Sequence, residues 1–180
     1  MKHFLPHSAL KSLYYSIIHC HFTYCISVWG NSSSSEKLFK LQKRAVRIIN
    51  KSNFRSHTDP LFKADLILKL NDLYQLFSSL FMFDYKYGNL PQSFRNFFNV
   101  PNDQNRQTRQ LNNIYTNIPR TNFSAASPFH SIPNVWNNLR NPLKEHTKRN
   151  KLIKSLKEEY FNRYLINVTC ENPRCTQCNK

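Results

Sequence analysis

Only two residues of 180 are glycine, Gly30 and Gly88. Tight β-hairpins draw their positive-φ turn positions largely from glycine, so a fold built from many hairpins is hard to reach. A glycine-rich loop that cradles phosphate is excluded on the same ground. What remains is helices joined by loops of proline, asparagine and serine. Hydrophobic residues make up 40% of the chain and aromatics 14%, with 14 phenylalanines, which is enough to pack a core. The expected class is mainly α: a helical bundle over residues 1–88, a loop-rich connector over 89–141 with a short β-ribbon around 106–123, a basic helix over 142–168, and a flexible cysteine-bearing tail over 169–180.

Charge restricts the partners. Lys and Arg number 26 against 10 acids, a formal charge of +16. So large an excess repels itself unless something anionic neutralises it, and nucleic acid is the commonest such partner, with anionic membrane second. Residues 12–36 hold no Lys or Arg. This stretch is too short and too polar for a membrane span, which takes about 20 mostly apolar residues. It has no small-residue cleavage site of a signal peptide either. A buried helix is the simpler reading. Five cysteines, unevenly placed, do not form the pattern of a secreted disulfide framework; a reducing, intracellular compartment fits better.

Helices can be placed from periodicity and caps. Ser8 is positioned to cap a helix running toward Trp29, with Leu10, Leu13, Tyr14, Ile17, Ile18 and Phe22 at helical spacing. Gly30, Asn31 and the serines at 32–35 form a break. Ser33 and Glu36 have the spacing of a capping box. Thr58-Asp59-Pro60 starts a short helix to about Leu66. Asn71-Asp72 caps a longer one that ends at Gly88 and is apolar nearly all round, hence central. Ser131 to Trp136 starts another short helix. A basic helix from about 142 to 165 puts Leu152, Ile153, Leu156, Tyr160 and Phe161 on its apolar side.

The segment after Ser33 is the clearest local signal. Leu38, Leu41, Ala45 and Ile48 recur at steps of three and four, and Lys37, Lys40, Arg44, Arg47 and Lys51 recur at the same steps one position earlier. At about 100° per residue these are neighbouring stripes on one helix, one for the core and one carrying only positive charge. From 37 to 57 there are seven cations and no acid: Lys37, Lys40, Lys43, Arg44, Arg47, Lys51 and Arg55. Ordinary solvated helix faces mix signs, because Glu and Lys four apart stabilise a helix, so this run is the first candidate for contact with phosphate. The second basic run, Lys144 to Arg163, also holds Glu145, Glu158 and Glu159. There a solvated face and nucleic-acid contact stand level.

Other constellations are weaker. Cys170, Cys175 and Cys178 have zinc-like spacing. Tetrahedral zinc takes four soft ligands, so His146, His130 or an upstream histidine would have to complete the set; reduced thiols are the alternative. Cys20, Cys25, His19 and His21 lie in an apolar helix and read as core residues, not as a nucleophile or metal site. Trp29 and Trp136 read as structural anchors at helix–loop junctions, with base stacking as the minor alternative. Two-metal phosphoryl transfer needs clustered carboxylates, and the only adjacent acids are Glu158-Glu159 on a solvated helix. No catalytic residue is assigned.

Several ordered segments carry a family resemblance. They are His-Phe-Leu-Pro at 3–6, Leu-Tyr-Tyr-Ser-Ile-Ile-His at 13–19, Thr-Tyr-x-Ile-x-Val-Trp-Gly at 23–30, Leu-Gln-Lys-Arg-Ala-Val-Arg-Ile-Ile at 41–49 and His-Thr-Asp-Pro-Leu-Phe at 57–62. Leu-Asn-Asp-Leu-Tyr at 70–74, Leu-Pro at 90–91, Thr-Arg at 108–109 and Val-Trp-Asn at 135–137 continue the order. Each is weak alone; as an ordered set it resembles the region just after the polymerase palm of jockey-like, LINE-type non-LTR retrotransposon reverse transcriptases. The resemblance implies a thumb followed by a C-terminal region, with RNA-directed DNA synthesis as the parent activity. It also implies RNA, DNA or their hybrid as partner, together with the palm and fingers of the polymerase, and no membrane. Cysteine-bearing tails occur in such relatives, which favours zinc. The palm and its Tyr-x-Asp-Asp-type turn are not among these residues, so the Mg²⁺ ions are expected there and not on this chain. Asn138-Leu139-Arg140 also departs from the Leu-Pro usual after Val-Trp-Asn. A non-catalytic RNA/DNA-binding module derived from such an element, or a non-functional relic, is the alternative. Retrotransposition at a chromosomal target implies nuclear access, with passage of the ribonucleoprotein through the cytoplasm.

Overall fold

A computed structural model describes residues 4–98, 113–116 and 118–166. The chain is mainly helical. Its helices are α1 (His7–Leu13), which runs through a π-helical turn at Tyr14–His19 into α2 (Cys20–Thr23), then α3 (Ile26–Trp29), α4 (Ser35–Ile49), α5 (Asp59–Ala64), α6 (Leu70–Lys86), α7 (Asn122–Ala126), α8 (Pro128–Asn137), α9 (Asn141–Lys144) and α10 (Arg149–Ile166), with a 3₁₀ turn at Gln92–Phe94. Among the described residues no strand forms, and Tyr115 is a single bridge residue. Of the β-ribbon expected over 106–123, residues 106–112 and 117 lie outside the described residues, and the rest leads into α7.

The described residues fold into two compact units, one of residues 4–26, 33–73 and 157–166, the other of 27–32, 74–98, 113–116 and 118–156. In the first, Leu10 and Tyr14, Val46 and Ile49 of α4, Leu61 and Phe62 of α5, Ile67 and Tyr164 of α10 make the core. Phe39 stacks on Phe62 with ring centroids 6.3 Å apart. In the second, Leu76, Leu80, Met82 and Phe83 of α6, Trp136 of α8 and Leu152 and Leu156 of α10 are buried. Asn137 holds the strand-like backbone at Ile114 by accepting from its N–H (2.8 Å) and donating to its carbonyl (2.9 Å). Trp136 is an anchor as expected, while Trp29 is half-buried.

Three helices stop in the same way, and only one uses glycine. At the ends of α4, α5 and α6, the residue two past the helix takes the left-handed conformation: Lys51 (φ 52°), Leu66 (φ 54°) and Gly88 (φ 69°). Its N–H and that of its successor fold back on the last turn: Lys51 to Ile48 O and Ser52 to Arg47 O, Leu66 to Lys63 O and Ile67 to Phe62 O, Gly88 to Tyr85 O and Asn89 to Asp84 O. This pair of bonds satisfies carbonyls that a helix end otherwise leaves open. Glycine scarcity thus does not prevent the motif; two L-residues bear its strain.

Several expectations need correction. The first helix begins one residue before Ser8, with Pro6 as N-cap, and does not run through to Trp29. Thr23 Oγ1 donates to the carbonyls of His19 (3.0 Å) and Cys20 (3.1 Å), a back-bond that competes with the helix; Tyr24 then turns extended and Cys25 has φ 49°. Leu13 and Ile17 are exposed, at 44% and 57%, and so are both Cys20 and Cys25, which are therefore not core residues. The π turn, with its extra residue per turn, swings these positions away from the face that buries Leu10 and Tyr14. Ser33 and Glu36 make no capping box: the N-cap is Ser34, in helical geometry with no side-chain bond, and Glu36 pairs with Lys40 instead. Asn71 and Asp72 lie inside the first turn of α6 rather than before it. The C-terminal helix is split into α9 and α10.

Candidate nucleic-acid interface

α4 presents the cations, but on a face different from the one its apolar pattern suggests. Gln42, Val46 and Ile49 point inward, whereas Leu41 and Ile48 are 53% and 47% exposed. The buried face is therefore turned one position, about 100°, from the Leu38-Leu41-Ala45-Ile48 stripe. Gln42 explains the shift. It is fully buried and every polar atom is used: Nε2 donates to Tyr14 Oη and to Leu68 O, and Oε1 accepts from Leu70 N–H, each at 2.9 Å. A polar residue so bonded belongs in a core. With Gln42 inward, Lys37, Lys40, Arg44, Arg47 and Lys51 lie opposite the core instead of beside it, and Leu41 and Ile48 form the edge of the cationic face.

The cations are held without being neutralised. Lys37, Lys40, Arg44, Lys51 and Arg55 are exposed; Lys43 and Arg47 are half-buried. Lys43 Nζ sits 4.4 Å from the centre of the Phe39 ring. Arg47 Nε donates to Ser56 O at 2.9 Å, and its guanidinium lies 6.0 Å from the Phe54 ring. Among the described residues neither Arg44 nor Arg47 meets a carboxylate. Lys40 has Glu36 at 3.4 Å, but both side chains are over 70% exposed, where an ion pair contributes about 0–1 kcal/mol.

Two recesses adjoin this face. One, of about 250 Å³, is lined by Lys43 and Arg47 with Phe39, Arg55, the stretch Ser56 to Asp59, and Lys69. Lys69 Nζ is 2.9 Å from Asp59 Oδ1 and 4.3 Å from the Tyr164 ring centre. Tyr164 in turn donates its hydroxyl to Asp72 and accepts from Lys69 N–H at 2.9 Å. Burial pushes the Lys43 ammonium below its ordinary range; Lys69, Arg47 and Lys40 push the same way, while Asp59 opposes them. The other recess, shallower and about 410 Å³, is lined by Lys40, Lys43, Arg44, Arg47 and Phe54, whose ring is 72% exposed. Sequence reasoning missed Lys69, His57 and Phe54. Phe54 carried a usable signal, an aromatic inside a run of cations. Lys69 carried none, because its place is set by the turn after α5.

The remaining candidates separate. In the second basic run Lys144 is buried, its Nζ donating to Asn137 O (2.8 Å) and Asn113 Oδ1 (2.9 Å), and burial lowers its pKa, with Lys86 adding to the effect. Arg149 pairs with Asp84 at 3.2 Å and Arg163 with Glu159 at 2.5 Å. Three of its cations are thus engaged within the protein, whereas Lys148, Lys151, Lys154 and Lys157 are exposed. Cys170, Cys175 and Cys178 lie outside the described residues. His130 and His146 are half-buried, and among the described residues no three His, Cys, Asp or Glu side chains gather as a metal site. No described helix is long and apolar enough to cross a membrane.

No family model, no curated protein and no solved structure matches the chain.

Proposed function

We propose that this chain grips the sugar-phosphate backbone of RNA, DNA or an RNA/DNA hybrid with the outward face of α4, as the thumb and following region of a non-LTR, jockey-like or LINE-type reverse transcriptase. In this reading it has no catalytic residue of its own. The palm and fingers of the polymerase supply the Mg²⁺-dependent chemistry, the work is intracellular with passage through nucleus and cytoplasm, and Cys170, Cys175 and Cys178 are where a zinc ion would bind. The observation that carries the reading is the face itself: cations opposite the core, anchored to a carbonyl and to aromatic rings, with the charge left over. Phosphate contacts give affinity and register without reading sequence, which is what a polymerase thumb requires. The ordered family-like segments supply the rest.

The test is affinity for an RNA/DNA hybrid measured against salt. About four or five phosphate contacts give a slope of roughly −4 in log affinity against log salt. Combining Lys40→Glu, Arg44→Glu and Arg47→Glu is expected to remove most of that slope. A flat salt dependence, or unchanged binding by the triple variant, sinks the reading, as does stronger binding to anionic vesicles than to the hybrid.

A further inference from the structure

The 250 Å³ recess behind the cationic face is not needed to follow a backbone. Strand-tracking contacts are made on exposed surface, as Lys37, Lys40 and Arg44 are. The recess is concave, and it is smaller than the roughly 300–1,000 Å³ typical of drug-sized ligand sites, so a compact group fits it best. Four basic side chains border it, Lys43, Arg47, Arg55 and Lys69, against the single carboxylate of Asp59. That carboxylate is already engaged by Lys69 at 2.9 Å. The surplus is about three positive charges before His57 is counted. A phosphodiester carries one negative charge, whereas a phosphate monoester carries about −1.5 to −2 at pH 7, and the monoester matches this surplus better.

The donors are also set in place. The Nε of Arg47 is tied to Ser56 O, which fixes the guanidinium plane, and Lys43 is held over Phe39. Donors fixed before the ligand arrives cost less to order on binding, and charge-assisted hydrogen bonds to phosphate are among the strong ones. Lys43 and Arg47 line this recess and the shallow one beside Lys40 and Arg44. The two recesses therefore adjoin, with Lys43 and Arg47 common to both. We propose that this recess receives the terminal phosphate monoester of a nucleic-acid strand, ending the track that the exposed cations of α4 lay for its backbone. This rests on the nucleic-acid reading above and adds an end-specific site to it.

The experiment uses the full chain and oligonucleotides of one sequence ending in a 5′-phosphate, a 3′-phosphate or hydroxyls only, with affinity read by anisotropy at fixed ionic strength. A phosphorylated end is expected to bind about tenfold tighter, the equivalent of one charge-assisted hydrogen bond. Inorganic phosphate at matched ionic strength is expected to abolish that preference while leaving hydroxyl-ended binding intact. Lys43→Gln should erase the preference, and Lys37→Gln, which removes the same charge outside the recess, should keep it. Arg55→Gln, at an exposed side chain, serves the same purpose if Lys43→Gln unfolds. Equal affinity for all ends, or equal effects of Lys43→Gln and Lys37→Gln, overturns the end-binding site while salt-dependent binding continues. A response to inorganic phosphate without any preference among ends also overturns it. Loss of salt dependence for every oligonucleotide instead marks failure of the nucleic-acid reading itself.

Discussion

Gln42 joins three distant parts of the first unit. Tyr14 lies 28 residues before it, and Leu68 and Leu70 lie 26 and 28 after it. Its amide takes up a backbone carbonyl and a backbone N–H that no other group is placed to satisfy, between α5 and α6. The bond also stabilises the Tyr14 phenolate slightly, but burial dominates and holds the Tyr14 pKa at about 12, so the hydroxyl stays a neutral partner across the working pH range. Gln42→Leu keeps most of the volume and leaves Leu68 O and Leu70 N–H buried without partners. At about 1–3 kcal/mol for each orphaned group, a loss of roughly 3 kcal/mol is expected, read as a lower urea midpoint with unchanged m-value. A loss below 0.5 kcal/mol would mean that the amide does not set the rotation of α4. Gln42→Glu tests the same point through charge, since a carboxylate cannot donate to Leu68 O.

At the scale of elements, what matters is how helices end and how they rotate. α5 closes on Leu66, whose side chain is 64% exposed and whose φ is 54°. An L-residue in this conformation costs about 1–2 kcal/mol, while glycine's greater freedom in the unfolded chain takes back about 0.5–1 kcal/mol. Leu66→Gly is therefore expected to stabilise the protein by about 0.5–1 kcal/mol, with Leu66→Ala giving no such gain; a destabilised glycine variant in urea denaturation contradicts this. The motif also positions the recess: Ile67 returns to Phe62 O and is buried beside it, and two residues later Lys69 reaches Asp59. The rotation of α4 has the same character. Its cationic repeat is visible in the chain, but the direction of that repeat relative to the core depends on Gln42, and a purely apolar reading of the pattern gave Leu41 and Ile48 the inward role that Val46 and Ile49 hold.

For the whole molecule, a charge of +16 on 180 residues dominates. Self-repulsion of this size works against the compact state, and a ligand bound only by the folded form stabilises it by mass action. Duplex or hybrid nucleic acid at low salt is therefore expected to raise the thermal midpoint by several degrees, more than sodium chloride of equal ionic strength. The excess should shrink in the chain carrying Lys40→Glu, Arg44→Glu and Arg47→Glu. If salt and nucleic acid act identically, the charge is only being screened and no bound state contributes.

The sequence alone determined the helical class, the cationic run from Lys37 to Arg55, the start of α5 at Asp59-Pro60 and the stop of α6 just before Gly88. Each of these follows from spacing or backbone preference within a few neighbouring residues. Tertiary structure alone decided which way α4 faces, that Lys144 is buried rather than part of a basic surface, that Cys20 and Cys25 are exposed, and that Lys69 and Asp59 close a recess beside Lys43 and Arg47. An isolated helix is free to turn about its own axis. Its orientation is set only when hydrogen bonds and packing from segments tens of residues away engage one face and leave the other to solvent.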